Sequence, residues 1–109
     1  MNYKITLTEQ AEADLRSIFE YIAFKLLSPE NAIGQLDRIE ETILSLGEDP
    51  KKFRRYDREP WKSRNTRIVP VDNYVVFYIP DEEKSLVTVI RIMYCGRDVD
   101  KQLDEFTKI

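Results

Sequence analysis

The sequence predicts an α+β domain in which an antiparallel β-sheet packs against an N-terminal α-helical hairpin. Two apolar stripes with helical spacing occupy the first half of the chain, and three strand-like runs separated by short turns occupy the second half. A length of 109 residues suffices for one hydrophobic core. The expected order is β-α-α-β-β-β with a short C-terminal helix, and residues 1–109 are expected to form a single domain.

The first half begins with a short strand and continues into two helices. Residues 3–7 alternate between polar and apolar side chains, which is typical of a half-buried strand. Thr8 is suited to an N-cap, and apolar residues recur after it with helical spacing as far as about Leu27. The Ser-Pro pair at residues 28–29 is suited to begin a second helix, which Gly47 is expected to end. Two helices joined this tightly pack as an antiparallel hairpin.

Three strand-like runs follow a segment without regular period. Residues 48–64 show neither helical nor strand periodicity, and an irregular segment of that length inside a small domain is usually functional. The runs at residues 66–71, 74–79 and 86–94 are separated by short turns, so neighbouring strands are antiparallel. The last run is almost continuously apolar, which indicates a central strand. Asp98 is placed to cap the short final helix.

Charge is unevenly distributed along the chain. Residues 1–50 carry four basic and ten acidic side chains, residues 51–67 carry eight and two, and residues 68–109 carry five and eight. A concentrated basic segment can bind phosphates although the net charge is -3, but a solvated loop is an equally good interpretation. The helical hairpin should cover one face of the sheet, which leaves the other face and the basic segment available to a partner.

The absence of histidine excludes several kinds of site. The chain has no histidine and one cysteine, Cys95. Ser-His-Asp and Cys-His triads, a disulfide within the chain and multi-cysteine zinc sites are therefore excluded. No apolar run approaches the roughly 20 residues of a membrane helix, and the N-terminus lacks the apolar region of a secretory signal. We expect a cytosolic domain without a metal and without membrane contact.

Arg91 interrupts the apolar last run, where burying an unpaired charge is costly. One interpretation is a structural ion pair with Asp98 or Asp72. The other places Arg91 at the floor of an anion site, with Arg67 from the adjacent part of the sheet and Arg97 at the rim. These alternatives make Arg91 the residue whose surroundings matter most.

Aromatic side chains occur among the cations of the irregular segment. Phe53, Tyr56 and Trp61 alternate there with lysines and arginines, a combination that can stack bases and hold phosphates. The same rings can instead fix a long loop onto the domain, and for Trp61 this interpretation is at least as good. Tyr78 and Tyr94 could offer phenol groups to an anion site, although ordinary strand packing is the commoner role.

Two blocks of the sequence resemble the RelE/ParE superfamily of toxins from type II toxin-antitoxin modules. RIVPVDNYVVFYIPD contains a tyrosine-rich third strand, and VTVIRIMYCGRD contains the more specific block of Arg91, Tyr94 and Gly-Arg-Asp at residues 96–98. The resemblance extends from Tyr3 to about Leu103. It implies a cytoplasmic, growth-inhibiting toxin of the plasmid-stabilisation kind that needs no cofactor. It also implies a cognate antitoxin that wraps and neutralises the toxin, and contact with operator DNA only through that antitoxin.

The superfamily divides by mechanism. RelE-like members are ribosome-dependent endoribonucleases that cut mRNA, whereas ParE-like members inhibit DNA gyrase. For a nuclease, the resemblance implies that Arg67 and Arg91 stabilise the phosphate and that Tyr94 stands where the family often has its general acid or base. The residues expected to contact RNA or another target are Lys51, Lys52, Arg54, Arg55, Lys62, Arg64 and Arg97.

One departure from the nuclease pattern favours gyrase inhibition slightly. RelE-like nucleases usually carry an arginine in the third strand where this chain has Val75, and ParE-like proteins often have an apolar residue there. ParE-like proteins, however, tend to keep histidine at the position of Tyr94. This second departure counts against the gyrase inhibitor, so the two positions favour different mechanisms. A third hypothesis is an inactivated toxin that acts only as a partner of antitoxin and operator. In every case the antitoxin is expected to be acidic where it meets residues 51–67 and to lay a helix or strand over the sheet or the helical hairpin.

Overall fold

The structure is a computed structural model that describes residues 2–96 and 98–108, and it confirms the predicted fold class. The elements are β1 (Lys4–Leu7), α1 (Glu9–Glu20), a π-helical turn (Tyr21–Lys25), α2 (Pro29–Ser45), β2 (Arg67–Val71), β3 (Tyr74–Asp81), β4 (Leu86–Tyr94) and α3 (Val99–Phe106). Arg97, one of the predicted target contacts, lies outside the described residues. No helix in the described ranges is long and apolar enough to cross a membrane.

The four strands form one mixed sheet in the order β1-β4-β3-β2. The consecutive strands β2, β3 and β4 are antiparallel, as predicted from their short connections. The first strand differs, because β1 pairs in parallel with β4, with Lys4 opposite Leu86. A parallel pair needs a long connection, and the helices and strands between β1 and β4 provide one. The apolar β4 is therefore a central strand, as its sequence predicts.

The helical hairpin begins where predicted and departs from the prediction at its tip. The Thr8 hydroxyl accepts a hydrogen bond from the Ala11 N–H at 3.1 Å and caps α1. The helix stays α-helical only to Glu20 and then widens into the π-helical turn, where it was expected to continue to about Leu27. Leu27 has a φ of 53°, which breaks the helical path before α2 begins at Pro29.

Gly47 does not end α2 in the predicted way. The helix ends at Ser45, and Gly47 has no positive φ. Its carbonyl instead accepts a hydrogen bond from the Tyr3 N–H at 2.7 Å, and a Cβ at residue 47 would lie 3.0 Å from the Tyr3 carbonyl oxygen. A side chain at residue 47 would therefore crowd the backbone at the start of β1, and glycine avoids this crowding.

Both faces of the sheet are covered. The main core lies between the helical hairpin and the sheet, and it includes Ile39, Ile43, Val76, Tyr78 and Val89. On the other face, Trp61 from the irregular segment and Leu103 from α3 pack onto strand residues. These strand residues are Ile68, Phe77, Ile90 and Met93. The expectation that this face is open to a partner is wrong, because residues 48–66 and α3 fold over it. Trp61 fixes the loop, since only 2% of its surface is exposed.

Candidate functional site

A groove of about 880 Å³ lies beside the free end of β4. The pairing of β1 with β4 stops at Leu7 opposite Val89, so the last part of β4 has no strand on that side. The walls come from α1, the π-helical turn, the start of α2 and one residue of α3, Gln102. Apolar side chains from the turn and β4 line it together with tyrosines and two arginines, which is the usual composition of a binding site. The principal lining residues are Asp14, Ile18, Tyr21, Ile22, Leu26, Arg38, Tyr74, Arg91, Ile92 and Tyr94.

Arg91 is the central polar residue of the groove, and four of the five N–H groups of its guanidinium group donate hydrogen bonds. Its Nε donates to Asp14 Oδ2 at 2.7 Å and its Nη2 donates to Asp14 Oδ1 at 3.0 Å. Its Nη1 donates to the Phe106 carbonyl at 3.1 Å and to the Thr107 hydroxyl at 3.2 Å. The same Asp14 carboxylate accepts a hydrogen bond from the Ile92 N–H at 2.9 Å. This is a two-point charge pair that ties α1 and the end of α3 to β4.

The ion-pair interpretation of Arg91 therefore holds, but with a different partner. Asp98 and Asp72 were the expected partners, and neither contacts Arg91. Asp98 caps α3 by accepting from the Lys101 N–H. Asp14 takes the position because α1 runs past β4 where β1 ends, a proximity across 77 residues that sequence patterns do not reveal.

Arg67 and Arg91 do not share a site. Arg67 lies on β2, at the edge of the sheet opposite to the groove. Its Nη1 donates to the Phe53 carbonyl at 2.6 Å and to the Lys51 carbonyl at 3.3 Å. Tyr78 lies opposite Arg67 in the ladder and donates its hydroxyl to the Pro50 carbonyl at 2.7 Å. Burial raises the pKa of Tyr78 to about 12, so this phenol is a structural donor and not a groove residue.

Tyr94 does lie in the groove with Arg91. Its ring is half exposed and packs edge-on against Tyr74, with 5.7 Å between ring centroids. Burial, followed by the nearby phenols of Tyr94 and Tyr21, raises the pKa of Tyr74. A Cβ at residue 96 would collide with the Tyr94 ring, so Gly96 gives that ring its place. In the sequence, Gly96 is noticed only as part of the Gly-Arg-Asp block, and its packing against the Tyr94 ring was not predicted.

A second groove contact was also missed. Asp72, in the turn between β2 and β3, accepts hydrogen bonds from Arg38 Nε at 2.7 Å and from Gln35 Nε2 at 3.0 Å. These bonds lower the pKa of the Asp72 carboxyl and hold the turn against α2. The isolated Asp-Asn pair signals a turn in the sequence, but nothing there indicates its helical partners.

Five of the eight cations in residues 51–67 contact either a carboxylate or an aromatic ring. Lys51 pairs with Glu82, Lys62 with Asp57 at 3.1 Å, and Arg58 with Asp104 at 2.5 Å. Arg64 lies over the Trp61 ring at 5.1 Å, and Lys52 lies over Phe53 at 5.6 Å. Arg54 and Arg55 form no ion pair with any residue in the two described ranges. Ion pairs thus engage three of the eight cations in residues 51–67, and the carboxylates of two of these pairs come from α3 and from the β3–β4 turn.

Within residues 2–96 and 98–108, no group of three carboxylate or cysteine side chains is arranged to hold a metal ion.

Comparison with known proteins agrees with this fold. Residues 5–99 match the family described as the ParE toxin of the type II toxin-antitoxin system parDE. No curated protein gives a significant sequence match. The chromosomal ParDE system of P. aeruginosa matches with a TM-score of 0.70 and 18% identity, over 84% of this chain and 95% of that chain.

Two further solved structures are similar. The RelBE2 toxin-antitoxin complex of Mycobacterium tuberculosis gives a TM-score of 0.65 and 20% identity, over 86% of this chain and 99% of that chain. The isolated E. coli RelE toxin gives 0.61 and 14%, over 94% of each chain. At such identities the likeness concerns the fold alone.

The fold is thus that of the RelE/ParE superfamily of type II toxin-antitoxin toxins. Within that class, the match over residues 5–99 shows that the chain belongs to the ParE toxin family.

Proposed function

We propose that this protein stops growth by binding DNA gyrase and that a cognate antitoxin neutralises it in the cytoplasm. The observation that supports gyrase over RNA is the state of Arg91. An arginine that stabilises a reacting phosphate must direct free N–H groups at it. Here four of its five N–H groups donate to Asp14, Phe106 and Thr107, and the Asp14 carboxylate beside it would repel an entering phosphate.

The geometry of the other nuclease candidates supports the same proposal. Arg67 is bonded to loop carbonyls at the far edge of the sheet, so it is not placed to act with Arg91 on one phosphate. The segment that would hold RNA has most of its cations paired with carboxylates or stacked on rings. Both features favour a toxin that inhibits a protein without chemistry of its own.

Ribosome-dependent mRNA cleavage is the second candidate, because one observation favours it. Tyr94 is half exposed and shares the groove with Arg91, so a phenol and a guanidinium group lie in one concave surface. In that mechanism Tyr94 would exchange the proton, while Arg67 and Arg91 would have to leave their present partners. Arg54 and Arg55 would then be the first of the predicted RNA contacts to test, since their charges are least engaged.

The groove is the surface that we assign to the antitoxin. Its apolar floor, three tyrosines and Arg38 suit an amphipathic segment with an occasional carboxylate. An acidic stretch of the antitoxin is also expected opposite residues 51–67. Arg54 and Arg55 are its best candidate partners there, because they form no ion pair with any described residue. Operator DNA would be reached only through the antitoxin, because this chain is acidic overall, with a net charge of -3.

Two assays on the same preparation test the proposal. The toxin, released from its antitoxin complex and refolded, is added to DNA gyrase in a supercoiling assay and to translating ribosomes with a reporter mRNA. We expect supercoiling to stop, mRNA to stay intact, and the Tyr94→Phe variant to behave as wild type. Readdition of antitoxin should restore supercoiling and serves as the control. Cleaved mRNA with undisturbed gyrase, abolished by Tyr94→Phe, would establish the nuclease instead.

A further inference from the structure

The tip of the helical hairpin presents apolar side chains to solvent. We define the hairpin tip as the π-helical turn, the connection to α2 and the first turn of α2, residues 21–33. The exposed fractions are 67% for Phe24, 57% for Leu26, 82% for Leu27 and 55% for Ile33. Exposed apolar residues so close together in a small protein mark an interaction surface.

These side chains are not needed to hold the tip together. The tip has a small core of its own, made by Ile22, Ala23 and Ala32 with Phe19 packed against it. Phe24 packs edge-on against Phe19, at 6.4 Å between ring centroids, and is not a member of this core. The exposed leucines and Ile33 are therefore free to contact another molecule without unfolding the hairpin.

The backbone of the tip is irregular in two places. The π-helical turn replaces the last turn of α1, and single π-helical turns occur often at functional sites. Leu27 has a φ of 53°, a left-handed conformation that is unfavourable for leucine and that directs an exposed apolar side chain outward. Such a conformation at an exposed leucine does not serve core packing.

The charges around the tip indicate which kind of molecule it meets. Exposed carboxylates lie on the tip at Glu30, next to it at Glu20 and Asp37, and further along α2 at Glu40 and Glu41, and the tip also carries the exposed cation Lys25. None of them forms an ion pair with another residue of the described chain. Carboxylates thus outnumber cations around the apolar tip, which disfavours nucleic acid and complements a protein surface that combines apolar side chains with lysine or arginine.

We propose that the hairpin tip is the surface with which this toxin binds its target, inserting Phe24, Leu26 and Leu27 into an apolar cleft of a gyrase subunit flanked by basic side chains. The inference rests on the proposed function. Tyr21 and Leu26 belong both to the tip and to the groove, so an antitoxin segment in the groove reaches the edge of the target surface. Neutralisation then follows from overlap of the two surfaces.

Two substitutions at the tip and one elsewhere test this assignment. Phe24→Ser removes the exposed ring, and Leu27→Asn removes the exposed leucine while keeping a residue that tolerates the left-handed conformation. Leu44→Ser is the matched control, because Leu44 is also 67% exposed but lies near the other end of α2. Each toxin is titrated into the gyrase supercoiling assay, and its antitoxin affinity and thermal unfolding are measured in parallel to verify the fold.

We expect each tip variant to need about tenfold more toxin for half-inhibition, as for loss of a central interface residue. Antitoxin affinity should stay within about threefold of wild type, and Leu44→Ser should change neither quantity. Charge reversal by Glu30→Lys should also weaken gyrase inhibition, and this effect should be larger at low salt than at high salt.

If the wild-type toxin inhibits gyrase and the tip variants inhibit it equally well, the assignment of the tip is overturned while the proposed function stands. Lost antitoxin affinity with intact gyrase inhibition would make the tip an antitoxin surface. A wild-type toxin without effect on gyrase would overturn the proposed function and this assignment together.

Discussion

The two faces of the sheet are covered in different ways. On one face, α1 and α2 lay two periodic apolar stripes onto the strands, and the core there is built of aliphatic side chains and two tyrosines, Tyr74 and Tyr78. On the other face, an irregular segment and one short helix are held by Trp61, by Leu103 and by polar bonds to Asp104. Periodicity therefore reveals the first covering in the sequence, whereas the second depends on individual contacts between distant residues.

The largest expected effect lies where the two coverings meet. Arg91 bonds to Asp14 on the helical-hairpin side and to Phe106 and Thr107 at the end of α3. Arg91→Ala leaves a nearly buried carboxylate without its cation, which should lower the free energy of unfolding by about 3–5 kcal/mol. Urea denaturation measures this loss.

The exposed Arg38–Asp72 pair is the matched control for that experiment. Its members are about half exposed, and Arg38→Ala should cost only about 0.2–1 kcal/mol. Equal costs for the two variants would mean that the Arg91 pair contributes no more than a surface ion pair. Arg91 would then not be the strongest contact between the coverings of the two sheet faces.

An intermediate effect should be confined to the loop-covered face. Trp61→Phe keeps an aromatic ring but removes the Nε1–H that donates to Asp104 Oδ1 at 2.8 Å, and it leaves a small gap beside Phe77. We expect a loss of about 1–3 kcal/mol. Hydrogen exchange should quicken in residues 48–66 and in α3, while α2 keeps its protection. Uniform loss of protection over both faces would show that the two coverings unfold as one unit.

Much of the fold could be predicted because its signals are local. The helical stripes, the Thr8 cap and the turn at Asp72 each depend on neighbouring residues, and the structure contains all three. The parallel pairing of β1 with β4 and the π-helical turn could not be predicted. The first depends on residues about 80 apart, and the second replaces a helix that the apolar spacing fits equally well.

The groove was predictable only in part. Family resemblance drew attention to Arg91 and Tyr94, and both line it. Asp14 follows the buried Ala11 by three residues and precedes Ile18 by four, so helical spacing places it beside the apolar stripe. Nothing in the sequence, however, identifies Arg91 as the strand residue that it contacts 77 residues away. The ion pair between Arg58 and Asp104 also gave no signal in the sequence, because the two residues are 46 positions apart and α3 brings them together only in the folded chain.

The smallest expected effect is electrostatic and depends on pH. Hydrogen bonds from Arg58, and then from Trp61, lower the pKa of the Asp104 carboxyl below its ordinary value of 3.8. The contribution of this carboxylate to stability is therefore present above that ordinary value and is lost as the pH falls through the lowered pKa.

Asp104→Asn keeps an oxygen for Trp61 but removes the charge opposite Arg58, which should cost about 0.2–1 kcal/mol at neutral pH. The urea midpoints of variant and wild type should then converge as the pH falls below the ordinary carboxyl pKa of 3.8. Glu105→Gln, which removes an exposed partner of Lys101 at 4.0 Å on the same helix, should show no such pH-dependent difference. If the difference for Asp104→Asn stayed constant with pH, the docking of α3 would rest on packing alone, and the polar bonds would not distinguish the loop-covered face from the helix-covered one.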